Sequence, residues 1–155
     1  MEGAFDNNCQ SCQALQNLIS LTITPRVYET PYWVVEHGHP TSIKGWLVII
    51  LTRHCKALHE LTKDEWEDLG QLLPKLCQGL HKVLGTEKEY VIQLAEGEGF
   101  HHVHFHVIAR LPDWPDDLRG IRVFSGLGES AKDTLSADDL TPLVQELRAY
   151  LLSQR

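Results

Sequence analysis

Between Trp46 and Leu51 the chain carries six consecutive apolar positions, closed by the polar Thr52, Arg53 and His54. So short a run, rich in β-branched side chains, predicts a central strand rather than a helix. Alternation around Thr30 and Pro31 predicts two earlier strands, 26–29 and 32–36, followed by a loop over 37–44 that contains Gly38 and Pro40. Leu69, Leu72, Leu73, Leu76, Leu80 and Val83 recur at three and four, the period of one helix face. Thr62 and Glu65 form a capping box that starts this long helix, and Gly85 is placed for a left-handed cap at its end. Pro74 lies within it and is expected to kink it or loosen one turn. Two further strands are predicted over 90–94 and 102–110, joined by a loop over 95–100. A short helix is expected over 14–21. A second amphipathic helix, starting near Ser136 or Thr141 and running to Leu152, carries Leu143, Leu147, Tyr150 and Leu151. Helices and strands are segregated rather than alternating, which predicts an α+β fold: an antiparallel sheet of about five strands, a long helix and a C-terminal helix.

The 155 residues suit one domain with a core of its own. A net charge of -7 sets the molecule's field against phosphate polymers, so polymeric nucleic acid and membrane surfaces are not expected partners. The longest apolar run is far short of the roughly 20 residues that cross a bilayer, and no secretory pattern opens the chain; a cytoplasmic location is expected. Of the four cysteines, Cys55 and Cys77 read as ordinary thiols, while Cys9 and Cys12 form a Cys-x-x-Cys pair that points to metal or redox chemistry.

Nine histidines are too many for this length, and four fall between 101 and 106. In 102–108 the alternation has period two, so His102, His104 and His106 share one strand face while Val103, Phe105 and Val107 enter the core. His101 belongs to the opposite face; His37, His39, His59 and His81 carry no pattern and read as surface or loop positions. Two chemistries suit the strand. Neighbouring histidines about 6.5–7 Å apart can share a catalytic zinc with a third ligand and a water. Alternatively, one imidazole attacks phosphorus while its neighbours hold the phosphate, a role suited to a group that is neutral and nucleophilic near pH 7.

His-φ-His-φ-His-φ-φ, with φ apolar, resembles the signature of the histidine triad (HIT) family of nucleotide hydrolases and transferases, and 102–108 matches it throughout. The resemblance extends over 9–110 of a single domain spanning 1–155, with 113–155 as a C-terminal extension. It implies that His104 is the nucleophile and forms a covalent nucleotidyl intermediate during cleavage of phosphoanhydrides or phosphoramidates. It implies that His106 contacts the phosphate, helped by the backbone of the loop Gly97, Glu98 and Gly99. It also implies one structural zinc per chain held by Cys9, Cys12, His54 and His102, a purine nucleoside in an apolar cleft of the early strands, and a homodimer.

Several positions depart from the family pattern. Trp46 stands in the substrate site where many members have a further histidine, Glu98 where they have glutamine, Gly99 where they have serine or threonine, and Leu51 where proline is common. Glu36 is the candidate acid for the ribose. Glu98 would be protonated, turned away, or a base for the resolving water. These departures keep two other readings open: a nucleotide-binding sensor with degenerate catalysis, and a hydrolase with catalytic zinc.

Overall fold

The apolar run over 46–51 lies at the centre of the sheet. In the computed structural model, which describes residues 5–155, it forms β3 (Trp46–Leu51). β1 (Tyr28–Glu29), β2 (Trp33–His37), β4 (Lys88–Ile92) and β5 (His104–Arg110) complete one antiparallel sheet of order β1-β2-β3-β5-β4. The helices are α1 (Gln10–Leu15), α2 (Lys63–Leu84) and α3 (Ala137–Ser153). The expected α+β fold with a five-stranded antiparallel sheet is thus present.

One sheet face is apolar and packs on α2 and α3. Leu47, Ile49 and Leu51 of β3 and Phe105 and Val107 of β5 meet Leu69, Leu72, Leu76 and Leu80 of α2 and Leu143, Leu147 and Leu151 of α3 in a single buried cluster. The strand period of two and the helix period of 3.6 converge on this layer. α2 begins with the capping box of Thr62 and Glu65 and ends at Gly85, whose φ of 68° and ψ of 42° are the left-handed values that glycine adopts without a steric penalty. Pro74 does not break the helix. It leaves the Gly70 carbonyl without an amide partner, and both residues are exposed, so water can take that acceptor.

Element boundaries differ from the expected ones for local reasons. The first helix begins at Gln10 because the Cys9 sulfur accepts the Cys12 amide at its N-terminus, and it stops before Asn17, whose φ is 59°. β4 lies two residues earlier than expected, set by pairing from Lys88↔Arg110 to Ile92↔His106. β5 begins at His104 rather than His102, because β3 ends at Leu51 and its amide bonds the Val103 carbonyl instead of extending the ladder. β1 is reduced to Tyr28–Glu29.

The second sheet face, which carries the histidines, is covered as well. After β5 the chain crosses it in 3-10 turns, including Gly120–Gly126, and Val123, Phe124 and Leu127 join Ile43, Trp46 and Ile108 in a smaller cluster. The loop 38–44 is fastened to this crossing: Thr41 Oγ1 donates to the Gly126 carbonyl at 2.7 Å, and the Leu135 amide donates to the Thr41 carbonyl at 2.8 Å. His37, expected at the surface, is 1% exposed: its Nδ1–H donates to the Gly38 carbonyl at 2.9 Å and its Nε2 accepts the Gly45 amide at 3.0 Å. Burial lowers its pKa to about 4, so it serves the loop as a neutral brace.

Candidate active site and metal centre

β5 projects His104 and His106 from the same face, where they pair across to Ile50 and Val48 of β3. Their rings meet edge to face with centroids 5.1 Å apart. Both are buried, at 9% and 8% exposure. His102, at 0%, has no edge to offer a substrate.

The hydrogen bonds settle which nitrogen of each ring holds a proton. His104 Nδ1 lies 2.7 Å from the His102 carbonyl, which only accepts. Nδ1 therefore carries the hydrogen and Nε2 keeps its lone pair. His106 Nδ1 receives the indole N–H of Trp46 at 2.9 Å, and an indole nitrogen only donates. Nδ1 of His106 is thus the bare nitrogen and Nε2 the protonated one. Burial lowers the pKa of both rings, that of His106 to about 4. The site pairs a nucleophilic nitrogen with a hydrogen-bond donor in two neutral imidazoles.

Trp46, expected to touch substrate, is fully buried and stacks edge to face with His106 and Phe124. Its effect on a substrate passes through His106. Phe124, which the sequence did not single out, meets the His106 ring at 5.3 Å from the C-terminal crossing. Nothing periodic marks that segment, so its packing partner was not legible.

The loop before the triad turns through a bond from the Phe100 amide to the Gly97 carbonyl. Glu98 is exposed, so water faces its carboxylate; at about 4 Å from a phosphate charge its repulsion falls toward 1 kcal/mol in water from about 4 at an effective dielectric of 20. Gly99 has a φ of 79°, and a Cβ there would stand 2.6 Å from the Gln10 side-chain nitrogen. Its carbonyl accepts the Gln10 amide at 2.8 Å. A serine there takes on the strained left-handed backbone and pushes the end of the Gln10 side chain aside. Glu36 is buried on the histidine face of β2, 3.5 Å from Arg26, with its pKa raised by burial.

Cys9, Cys12, His54 and His102 converge, their ligand atoms all within 4.8 Å of one another. Cys9 Sγ is 3.4 Å and Cys12 Sγ 3.6 Å from His102 Nδ1, and Cys12 Sγ is 3.3 Å from His54 Nδ1. A tetrahedral ion with first-row bond lengths separates sulfur and nitrogen ligands by about 3.6 Å, so the four can hold a metal. Second contacts orient the rings: His102 Nε2–H donates to the Leu51 carbonyl at 2.7 Å, freeing Nδ1. Without an ion, burial keeps the Cys12 thiol neutral, its pKa pushed up to about 11; a cation supplies the charge that a thiolate needs there. Because both nitrogens of His102 are engaged in this arrangement, it does not converge with His104 on a shared catalytic ion. Cys55 is buried and Cys77 half-buried, both free and away from the group.

The likenesses to known proteins agree with this geometry. The HIT domain model matches residues 23–113, more than half of the chain. No curated protein sequence matches it significantly. Among solved structures, a Hit-like protein involved in cell-cycle regulation from Bartonella henselae superposes with a TM-score of 0.70 at 19% identity, covering 95% of this chain and 98% of its own. A Zn-bound histidine triad family protein from Mycobacterium smegmatis gives 0.65 at 15% identity over 94% of each chain. A hypothetical protein from Leishmania major gives 0.58 at 26% identity over 68% of this chain and 75% of its own. With His104 and His106 on β5, His102 just before it, and the domain match spanning the sheet and α2, the chain belongs to the HIT domain family.

Proposed function

We propose that the protein is a nucleotide hydrolase or nucleotidyl transferase that cleaves phosphoanhydride or phosphoramidate bonds of nucleotides through His104. The observation that carries this reading is the bond from His104 Nδ1 to the His102 carbonyl, which leaves the Nε2 lone pair free. In the first step that lone pair forms a P–N bond while the bond from phosphorus to the leaving group breaks, its electron pair departing with the leaving group. The carbonyl of His102 steadies the imidazolium that results. His106 Nε2–H donates to a phosphoryl oxygen as charge develops there, and the amides of Gly97–Gly99 are proposed to join it. Water then attacks phosphorus, the P–N pair returns to Nε2, and one proton passes to solvent.

The ion at Cys9, Cys12, His54 and His102 is proposed to be a structural zinc, one per chain. Four protein ligands leave no position for water, and the Mycobacterium smegmatis relative is described as Zn-bound. A purine nucleoside is placed against the early strands, where Val34, Val48 and Ile50 line the histidine face with Glu36 as the ribose acid. The protein is read as a cytoplasmic homodimer, for which exposed Val91 on edge strand β4 supplies apolar surface. None of the helices among the described residues is long and apolar enough to cross a membrane. His104→Ala is expected to abolish turnover and covalent labelling by a radiolabelled nucleotide while keeping the wild-type melting temperature within a few degrees. Undiminished turnover would overturn the nucleophile assignment. The sensor reading draws on Trp46, Glu98 and Gly99; nucleotide-induced thermal stabilisation without turnover of any anhydride or phosphoramidate would favour it instead.

A further inference from the structure

Resting on that reading, we propose that Trp46 makes this site selective for phosphoanhydrides, by locking His106 as a hydrogen-bond donor that cannot become an acid. A neutral imidazole that gives up its one N–H becomes an imidazolate, which lies far outside reach near pH 7. To serve as a proton donor, His106 must first be a cation with hydrogens on both nitrogens. The Trp46 indole blocks this: its N–H points at His106 Nδ1 from 2.9 Å, and a second hydrogen on Nδ1 would set donor against donor inside a packed cluster. Trp46 cannot swing away, being 0% exposed and held edge to face against both His106 and Phe124. The other rings against His106 are Phe124 at 5.3 Å and His104 at 5.1 Å, neither of which supplies a negative charge to offset a cation. Gly99 offers no hydroxyl in the neighbouring loop, and its φ of 79° is one that glycine holds without strain.

The consequence falls on the leaving group. A phosphate leaving from an anhydride departs as a stable anion and needs no proton. An alkylamine leaving from a phosphoramidate must be protonated as the P–N bond breaks, and neither His104, whose Nε2 attacks, nor His106 is free to do so. General acid assistance contributes about a hundredfold to ten-thousandfold where it operates. The wild-type protein is therefore expected to cleave a dinucleoside polyphosphate with kcat/KM at least about a hundredfold above that for a nucleoside alkylphosphoramidate sharing the same nucleoside. Trp46→Phe keeps an aromatic ring but removes the N–H, so that burial alone opposes a second hydrogen on Nδ1, and is expected to narrow that ratio at least about tenfold. Trp46→Gln, which restores an N–H donor, is expected to bring the ratio back toward wild type.

Nitrogen-15 NMR of histidine-labelled protein reads the lock independently of turnover. His106 Nδ1 should be unprotonated in the wild type and at least partly protonated in Trp46→Phe. Equal cleavage of both substrates by the wild type, or a ratio unmoved by Trp46→Phe, overturns the selectivity. An unchanged Nδ1 signal in Trp46→Phe overturns the lock itself. Absence of turnover on both substrates with the lock present refutes the enzyme reading and the selectivity that rests on it, and leaves the tautomer assignment standing.

Discussion

Single residues at this site are fixed by what they touch. Gly99 illustrates this: its positive φ strains any residue with a Cβ, which would also meet the end of the Gln10 side chain at 2.6 Å, and its carbonyl anchors α1. Gly99→Ser is expected to cost about 1–3 kcal/mol in backbone strain and displacement. A urea titration checks this, and a midpoint equal to wild type would show that the loop relaxes freely. The triad histidines were legible because period-two alternation survives any error in strand ends. The tautomers of His104 and His106 were not, since they depend on a carbonyl two residues back and on an indole brought across by the pairing of β3 with β5. His37 shows the same limit: no local pattern tells that both its nitrogens bond the backbone of its own loop.

Elements are joined at their ends by shared side chains. Glu65 caps α2 by accepting the Thr62 amide at 2.8 Å, and the same carboxylate takes two bonds from Arg53, at 2.6 and 3.0 Å, just after β3. The helix start is thus riveted to the end of the central strand. The Arg53 hydrogen bond holds the Glu65 pKa below its ordinary value of 4.5. A carboxylate depressed in the folded state stabilises fully above its unfolded pKa, and loses that contribution as pH falls through the folded value. Glu65→Gln is expected to destabilise by about 1–3 kcal/mol at neutral pH, because the buried charge-assisted pair is broken. The gap between wild type and variant should shrink as pH falls below 4.5. Melting temperatures across pH 3 to 7 test this, and a gap constant over that range would place the stabilisation in shape rather than charge. The capping box itself was plain in the sequence, as was α3, whose start, open there between Ser136 and Thr141, is set by the Ser136 cap. Arg53 as its partner was not, because the pairing needs a turn whose path carries no periodic signal. The 3-10 crossing that covers the histidine face was hidden for the same reason.

At the scale of the molecule, the group of Cys9, Cys12, His54 and His102 brings three separate parts of the chain together beside the proposed nucleophile. Cys9 and Cys12 come from the N-terminal arm, His54 from the turn after β3, and His102 from the approach to β5. From this centre two connections run to the catalytic side. The His102 carbonyl accepts Nδ1–H of His104, and α1 hands its Gln10 amide to Gly99 in the substrate loop. The α2–α3 layer, by contrast, is held by a continuous apolar cluster that includes Leu51, Cys55 and Val103 but none of the four ligands themselves. Metal removal should therefore loosen one side of the molecule and spare the other. In the Cys9→Ser/Cys12→Ser protein, or after treatment with a strong chelator, amide exchange over 9–16 and 97–104 is expected to rise at least about a hundredfold. Amides of α2 and α3 should keep most of their protection, and the melting temperature should fall as a ligand-linked equilibrium requires. Mass spectrometry of exchanged peptides distinguishes the outcomes. A uniform rise along the whole chain would mean that the ion supports the core itself, and unchanged exchange over 97–104 would mean that the arm and the nucleophile's strand are ordered without it.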